Sequence, residues 1–319
     1  MPCTFSTSAK FTPQASTRIR TSPEPGPGEV RIRVEACGVN FADVLKVQGK
    51  YQEKQDLPFA PGAELCGIVD AVGEGATLEP GTRVAALTSD GFADYAVAPE
   101  AVCTPVPEGM PAEIAASFQI AYGTSHVALD HRARMQSGER LLVLGAAGGV
   151  GLTAVEIGKL MGAEVVACAR GPERLEIARA AGADHVIDSD AEDIRERCLA
   201  LGGLDVVYDP VGGDQWKAAM RACRPEARLL PIGFASGDVP QIPANILLVK
   251  NLTVIGLYWG AYRQFRPDVL TGSMRTLIGW WREGRLSPHV SNRVPLERAN
   301  EALDLLRERK ATGKVVVTP

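Results

Sequence analysis

A glycine-rich stretch in the middle of the chain has the residue types and spacing of a dinucleotide-binding turn. Residues 140–151 are Arg-Leu-Leu-Val-Leu-Gly-Ala-Ala-Gly-Gly-Val-Gly, a short apolar strand followed at once by glycines and the start of a helix. Gly148 would let the backbone approach a pyrophosphate, Gly151 would let the helix pack close to the strand, and the helix N-terminus would offer unpaired N–H groups. Ala146 departs from the G-x-G-x-x-G pattern at its first glycine, so an ordinary glycine-rich turn is the alternative. The residues expected to contact the cofactor here are Ala147, Gly148, Gly149 and Val150.

Two arginines downstream of this turn indicate which dinucleotide it would take. The next apolar strand, residues 164–169, is followed by Arg170, and Gly171-Pro172 then places Arg174 in the first turn of another helix. NAD-binding folds carry an acidic residue at this strand end, where it holds the ribose 2′-hydroxyl. Guanidinium groups would instead pair with a 2′-phosphate. We therefore predict NADP(H) over NAD(H), with solvated surface arginines as the alternative.

Composition and charge narrow the class of protein. The chain has 319 residues, which suggests about two domains, and its 45% hydrophobic and 23% charged content is that of an ordinary globular protein. A formal net charge of -4 argues against nucleic acid as a main partner. No apolar stretch approaches the roughly 20 residues of a membrane span, and the first residues lack a signal-peptide layout. The seven dispersed cysteines have no metal-ligand spacing and fit reduced thiols, so we predict a cytoplasmic protein without a membrane partner.

The hydrophobic pattern changes twice along the chain. Short alternating strands separated by glycine and proline fill the first part, which predicts an all-β, barrel-like unit. A helical stretch over 112–129 leads into alternating strands and helices, with the sixth strand at 252–257, and this alternation predicts a doubly wound parallel sheet. The C-terminal segment ends with an amphipathic helix at about 296–310 and a final strand at 314–318. The predicted fold is therefore α/β with two domains, a nucleotide-binding domain over 117–258 and a second domain formed by 1–116 and 259–319.

Several segments of both predicted domains together resemble a known family. They are 36–45 (Ala-Cys-Gly-Val-Asn-Phe-Ala-Asp-Val-Leu), 61–67 (Pro-Gly-Ala-Glu-Leu-Cys-Gly), 91–95 (Gly-Phe-Ala-Asp-Tyr), 121–124 (Ala-Tyr-Gly-Thr), the glycine turn, 209–213 (Asp-Pro-Val-Gly-Gly) and 313–316 (Gly-Lys-Val-Val). In these segments the chain resembles the zinc-independent quinone oxidoreductases (zeta-crystallin-like) of the medium-chain dehydrogenase/reductase family. The resemblance implies a GroES-like β-barrel catalytic domain joined to a Rossmann domain.

Two positions bear on whether a metal is present. In the zinc alcohol dehydrogenases of this family, a Cys ligand follows Gly-Val, where this chain has Asn40, and the His of a Gly-His-Glu motif is replaced by Ala63. Because a catalytic zinc needs three protein ligands, we expect no metal and reject a zinc alcohol dehydrogenase. Without a Lewis acid the acceptor must need little polarisation, which favours quinones and α,β-unsaturated carbonyls.

The resemblance also implies a set of site residues. Asn40 matches a cleft position that donates to an oxyanion, Asp43 one that orients its neighbours, and Tyr51 a tyrosine that touches substrate or donates a proton. For each of them a hydrogen-bonded turn or a buried structural side chain is the alternative. The positions that match cofactor-contacting ones are Thr124, beside the nicotinamide, and Gly233 and Phe234, in a loop under the cofactor.

Three functions stay open on this basis. The leading hypothesis is NADPH-dependent hydride transfer to a quinone. The second is an NADPH-dependent enone or enoyl reductase acting on a 2-alkenal or an enoyl-CoA, because Leu45 stands where several quinone reductases have a second tyrosine. The third is a non-catalytic NADPH-binding protein, against which the presence of Asn40, Asp43 and Tyr51 argues. The resemblance further implies a homodimer in which the sixth strand pairs across the two-fold axis.

Overall fold

The computed structural model describes residues 3–5, 15–17, 22–53, 56 and 58–319. Its strands, in chain order, are β1 (Cys3–Phe5), β2 (Ala15–Thr17), β3 (Glu29–Val39), β4 (Glu64–Val72), β5 (Arg83–Leu87), β6 (Tyr95–Pro99), β7 (Cys103–Pro105), β8 (Arg140–Leu144), β9 (Glu164–Ala169), β10 (His185–Asp188), β11 (Leu204–Asp209), β12 (Cys223–Pro231), β13 (Thr253–Val254), β14 (Val290–Pro295) and β15 (Lys314–Thr318). Its α-helices are α1 (Phe41–Val47), α2 (Ala112–Ala115), α3 (Gln119–His126), α4 (Gly149–Leu160), α5 (Gly171–Ala180), α6 (Ile194–Ala200), α7 (Gly213–Ala222), α8 (Ala244–Lys250), α9 (Tyr262–Phe265), α10 (Pro267–Arg282) and α11 (Ala299–Arg307). Single 3₁₀ turns lie at Glu100–Val102, Trp259–Ala261 and Leu296–Arg298, and Val127–Arg132 is π-helical.

The first of two units comprises residues 1–120 and 288–319 and is built around a mixed sheet. The strand order is β14-β15-β3-β4-β5-β7, with β6 also paired to β3. The long strand β3 runs through the middle of this sheet because Val30, Ile32 and Val34 alternate along it and give it an apolar face, and all three are buried. Helix α11 packs one apolar face against the same core, as its helical spacing predicts.

The register of β3 brings three distant segments to the same end of the sheet. Gly38 lies opposite Glu64, the first residue of β4, and Val39 lies opposite Val315, the second residue of β15. Asn40 follows β3 directly and precedes α1. The start of β4, the start of β15 and the residue after β3 therefore meet, although they are far apart in the chain.

The second unit, residues 121–287, contains a six-stranded parallel sheet in the order β10-β9-β8-β11-β12-β13. Numbered within the unit, this is the order 3-2-1-4-5-6 of a doubly wound dinucleotide-binding fold. Strands β8, β9 and β11 are almost continuously apolar and buried, as expected where helices cover both faces of a parallel sheet. The prediction of a two-domain fold with a doubly wound sheet is confirmed.

Two predicted elements differ from the observed ones. The helical stretch predicted over 112–129 is interrupted between α2 and α3. There the Ser117 hydroxyl donates to the carbonyl of Glu113 at 2.7 Å and competes with the backbone hydrogen bonds of the helix. The sixth strand, predicted over 252–257, forms β-pairs only over Thr253–Val254. It is the last strand of its sheet and pairs with a neighbour on one side only.

The two units also differ in extent from the two predicted domains. The unit boundaries fall at 120/121 and 287/288, whereas the sequence pattern predicts domain boundaries at 116/117 and 258/259. The main difference is the segment 259–287, which belongs to the second unit. The physical reason is side-chain packing that periodicity does not reveal: Trp280 of α10 contacts His126 edge-to-face with ring centroids 5.4 Å apart, and the Ser287 amide donates to the Glu156 carboxylate.

Candidate functional site

The glycine turn of the second unit has the geometry of an anion cradle. Gly145 takes a left-handed backbone with φ +59, and α4 begins at Gly149 after the extended residue Gly148. A Cβ on Gly151 would lie 2.2 Å from the Gly145 carbonyl oxygen, so only glycine allows this close approach. The first amides of α4 have no partner within the helix and are available to a phosphate. The residues predicted to contact the cofactor here, Ala147, Gly148, Gly149 and Val150, lie in this turn and in the first turn of α4.

The structure explains why the turn tolerates Ala146. The Ala146 side chain is buried, and its amide donates to the carbonyl of Cys168 on the neighbouring strand β9 at 2.9 Å. The left-handed backbone conformation that the turn requires is taken by Gly145, one residue earlier. The departure from the glycine pattern therefore leaves the cradle intact.

The two arginines lie at the carboxyl end of β9, next to this turn in the sheet. Arg170 immediately precedes α5, and Arg174 is half-buried in the first turn of that helix. The Gly171 amide between them donates to Asp188 at 3.0 Å, which fixes the loop. Among the described residues, no carboxylate forms an ion pair with Arg170. Its guanidinium is available to a phosphate at the strand end where a dinucleotide ribose binds in this fold.

The other predicted cofactor residues are Thr124, Gly233 and Phe234, and hydrogen bonds of Ser125 and Gly233 fix the segments in which they lie. Thr124 is buried on α3, and the adjacent Ser125 hydroxyl donates to the Val150 carbonyl at 3.0 Å, which joins α3 to the first turn of α4. Gly233 and Phe234 follow β12, and the Gly233 amide donates to the Asp209 carbonyl at 3.3 Å. The structure thus places Thr124 close to the glycine turn and places the 233–234 loop beside the end of β11.

Asp209 is a buried carboxylate that lies within one of the family-like segments but has no predicted role. It ends β11 and accepts hydrogen bonds from the amides of Val211 at 2.6 Å and Gly212 at 2.9 Å. Because its own carbonyl also receives the amides of Ile232 and Gly233, this residue organises both loops at this end of the sheet. Burial raises the pKa of Asp209 to about 6, against an ordinary value of 3.8.

We expect this carboxyl to make stability depend on pH. Since its pKa is raised in the folded protein, its contribution is fully present below its ordinary pKa of 3.8 and is lost as the pH rises through about 6. The full loss amounts to about 3 kcal/mol, since a tenfold change in proton affinity corresponds to about 1.4 kcal/mol. Urea unfolding across this range should show the slope in the wild type and a flatter curve in Asp209→Asn, whose amide oxygen still accepts both N–H groups. The exposed Asp214→Asn is the control, and an unchanged slope in Asp209→Asn would contradict the assignment.

In the first unit, Asn40 and Asp43 are brought together at the start of α1. The backbone N–H of Asn40 donates to Asp43 Oδ2 at 2.8 Å, and the backbone N–H of Gly62 donates to Asp43 Oδ1 at 3.1 Å. Burial raises the pKa of the Asp43 carboxyl above its ordinary value, although both amides stabilise its charge. Asp43 therefore ties the end of β3 to the segment before β4, which suits the orienting role predicted for it.

Asn40 belongs to a buried polar cluster that we define by Asn40, Glu64 and Lys314. The Lys314 ammonium donates to Asn40 Oδ1 at 2.7 Å, to Glu64 Oε1 at 2.9 Å and to the Val39 carbonyl at 3.1 Å. Asn40 Nδ2 donates to Glu64 Oε1 at 3.0 Å, and Glu64 Oε2 accepts the Ile120 amide at 2.9 Å. The Lys314 side chain is 6% exposed and that of Glu64 is 1% exposed, so this is a fully buried ion pair.

Glu64 and Lys314 are functional candidates that sequence reasoning missed. One signal could have found them: each is an ionisable residue that opens a strand whose following residues are apolar. Opposite charges at the starts of two such strands are a pairing signal, because an unpaired buried charge is very costly. Their proximity, however, depends on the register of β3 between them.

Tyr51 lies in the segment that follows α1. It is half-buried, and the Lys46 ammonium lies over its ring at 5.5 Å from the centroid. The structure therefore joins two of the three predicted catalytic residues, Asn40 and Asp43, and places Tyr51 against a lysine of α1.

Comparisons with known proteins agree with this architecture. Residues 26–108 match the family described as alcohol dehydrogenase GroES-like domain, and residues 149–272 match the one described as zinc-binding dehydrogenase. The quinone oxidoreductase-like protein 2 homolog of Nematostella vectensis is 40% identical over 300 residues, which are 92% of this chain and 82% of that protein.

Two solved structures are similar over nearly the whole chain. The quinone oxidoreductase of Thermus thermophilus, also solved as its complex with NADPH, is 32% identical with a TM-score of 0.87 and covers 100% of both chains. The CurK enoyl reductase is 25% identical with a TM-score of 0.88 and covers 99% of this chain and 98% of its own. Both a quinone reductase and an enoyl reductase therefore have this fold.

Proposed function

This chain belongs to the quinone oxidoreductase family of medium-chain dehydrogenases/reductases, and from that premise we propose that it transfers hydride from NADPH to a quinone without a metal. The observation that carries the proposal is the set of hydrogen bonds that holds the Asn40 side-chain amide. It stands where zinc-dependent relatives have a Cys ligand, and Lys314 and Glu64 hold its amide. This position supplies a hydrogen-bond donor, which suits a developing oxyanion better than it suits a metal ion.

The proposed cofactor fits the residues of the second unit. The cradle at Gly151 would be filled by any side chain, and Arg170 has no ion-pair partner among the described residues. When bound, NADPH supplies the hydride. The chain's own part is to hold the pyrophosphate at the start of α4, to pair the 2′-phosphate with Arg170 and Arg174, and to stabilise the hydroquinone anion through Asn40.

Replacing Arg170 should change the choice of cofactor. We expect Arg170→Ala to weaken NADPH binding by about 10- to 100-fold, the effect of losing one charge-assisted contact, and to leave NADH binding nearly unchanged. Fluorescence titration with both nucleotides measures this. Arg179→Ala is the matched control, because Arg179 lies on α5, the helix that Arg170 precedes, is exposed and pairs with Glu176. Equal losses for NADPH and NADH would refute the 2′-phosphate role.

The absence of a metal stays a prediction. Within the described residues, no three His, Cys, Asp or Glu side chains are grouped closely enough to hold a metal ion. Elemental analysis of the purified protein tests this point directly, and stoichiometric zinc would overturn the proposed chemistry.

An enone or enoyl reductase is the second candidate function. Leu45 on α1, where several quinone reductases have a tyrosine, and the similarity to CurK enoyl reductase favour it. The deciding experiment is NADPH oxidation with 1,4-benzoquinone in one series and with a 2-alkenal or an enoyl-CoA in the other. Turnover of the quinone supports the proposal, turnover of the alkene alone transfers it to the second function, and turnover of neither refutes both.

We also propose a homodimer formed through the free edge of the six-stranded sheet. The edge strand β13 is short, and Leu248 and Val249 on the preceding helix α8 are 77% and 76% exposed. Apolar side chains beside a strand that has a neighbour on one side only favour pairing with a second copy. A hydrodynamic mass measurement tests this.

None of the helices among the described residues has the length and apolar character of a membrane span, and the cytoplasmic location stays a prediction.

A further inference from the structure

We propose that Lys314 is a positioning residue: its ammonium fixes the Asn40 side-chain amide in the one orientation that leaves an N–H group free for the substrate oxygen. The inference rests on the proposed function, because it concerns the donor that acts on the developing anion. It assigns to Lys314 a role through Asn40 and no contact with the substrate itself.

The first step is the chemistry of the ammonium. A lysine ammonium has three N–H donors and no acceptor, so every atom in hydrogen-bond contact with it must accept. The three acceptors are the Val39 carbonyl, Glu64 Oε1 and the Asn40 side chain. The Asn40 atom that faces Lys314 is therefore the oxygen, which removes the usual ambiguity between the two ends of an amide.

The second step is the position of the Glu64 carboxylate. Oε1 accepts from both Lys314 and Asn40 Nδ2, and Oε2 is held by the Ile120 amide at 2.9 Å. Because both carboxylate oxygens are fixed, one Asn40 N–H is committed to Glu64. The second N–H of the same side-chain amide has no acceptor among the described residues. Asn40 keeps 9% of its surface exposed to solvent.

The third step is the consequence for chemistry. An amide in this orientation offers a donor to an oxyanion, whereas the flipped amide would offer an oxygen and repel it. All three Lys314 donors are in use, two within the cluster and one on the Val39 carbonyl, so the lysine has no free N–H for a ligand. Its effect on the reaction is therefore expected in kcat, where the anion develops, and not in the binding of NADPH.

A matched pair of variants tests the role. Gln and Met have the same side-chain length as each other and no charge, but Gln has N–H donors for the Asn40 oxygen and Met has none, so Lys314→Gln can replace the donor that Lys314→Met removes. We expect kcat of Lys314→Met to fall by about 100-fold, and kcat of Lys314→Gln to exceed it by at least about tenfold. Melting temperature should fall in both, and less in Lys314→Gln, whose amide can also donate to Glu64, whereas KM and NADPH affinity should change equally in both. Equal kcat values would overturn the inference, because a structural role affects both variants alike.

A second measurement needs no variant. In the unmodified protein, the two Nδ2 protons of Asn40 should exchange with solvent at different rates. The proton that is hydrogen-bonded to Glu64 should exchange at least about tenfold more slowly than the other, as measured in side-chain NMR spectra. Equal exchange of the two protons would overturn the inference even if the variants fail to fold. If the wild type turns over no acceptor at all, the proposed function fails, while amide exchange still decides whether Lys314 fixes Asn40.

Discussion

Glu64→Leu should lower the free energy of unfolding by about 3–5 kcal/mol, because it leaves a buried ammonium without its carboxylate. Lys314 is only 5% exposed and depends on Glu64 for the negative charge that compensates it. Leucine fills a similar volume, so the expected loss is electrostatic and does not come from a cavity. Urea unfolding measures it.

Two controls separate the cost of an uncompensated buried charge from the other effects of replacing a carboxylate. Glu176→Leu removes a carboxylate from an ion pair whose side chains are 53% and 73% exposed, and it should cost less than about 1 kcal/mol. Glu64→Leu combined with Lys314→Met removes both charges and should regain most of the lost stability. If the double variant is as unstable as Glu64→Leu, desolvation of the ammonium is not the cause.

Gly151→Val should both destabilise the second unit by about 3 kcal/mol and weaken NADPH binding. A Cβ at this position would lie 2.2 Å from the Gly145 carbonyl oxygen and 2.8 Å from its carbonyl carbon. Both contacts are with backbone, so the turn itself has to move, and the amides at the start of α4 move with it. Thermal unfolding and a nucleotide titration measure the two effects.

The matched control is another helical glycine with free space around it. A Cβ on Gly279 in α10 would meet no atom within 4 Å, so Gly279→Ala should raise stability by about 0.5–1 kcal/mol through helix propensity. NADPH affinity should not change. Normal nucleotide binding by a folded Gly151→Val protein would show that the close approach is not needed for the cradle.

The nucleotide-binding unit could be predicted well because its signals are local. An apolar run bounded by glycine defines β8, and the predicted strand at 164–169 has the bounds of β9. The glycine turn and the arginines lie within a few residues of these strands, so a strand–turn–helix pattern places them. The sixth strand, predicted over 252–257, pairs only over Thr253–Val254, because β13 has a neighbour on one side only and its length depends on that neighbour.

The polar cluster could not be predicted in the same way. Asn40 was singled out because it replaces a metal ligand, but its partner Lys314 is 274 positions away and meets it only through the pairing of β15 with β3. The break between α2 and α3 had a similar origin: a side-chain hydrogen bond of Ser117 competes with the helix, and apolar periodicity does not report such bonds. Contacts that depend on register or on single hydroxyls are not visible in the pattern.

The position of β15, between β14 and β3 but last in the chain, has a consequence for the order in which the two units fold. Residues 121–287 are continuous and precede β15 in the chain, so the second unit needs no later segment and can fold first. The first unit has to wait, because β15 pairs with both β14 and β3. Until then the Cys37–Val39 end of β3 lacks its partner on one side and Glu64 lacks its cation. A chain in which β15 has not yet paired can therefore hold a finished second unit beside an unfinished sheet, whose unpaired strand end is open to pairing with other chains.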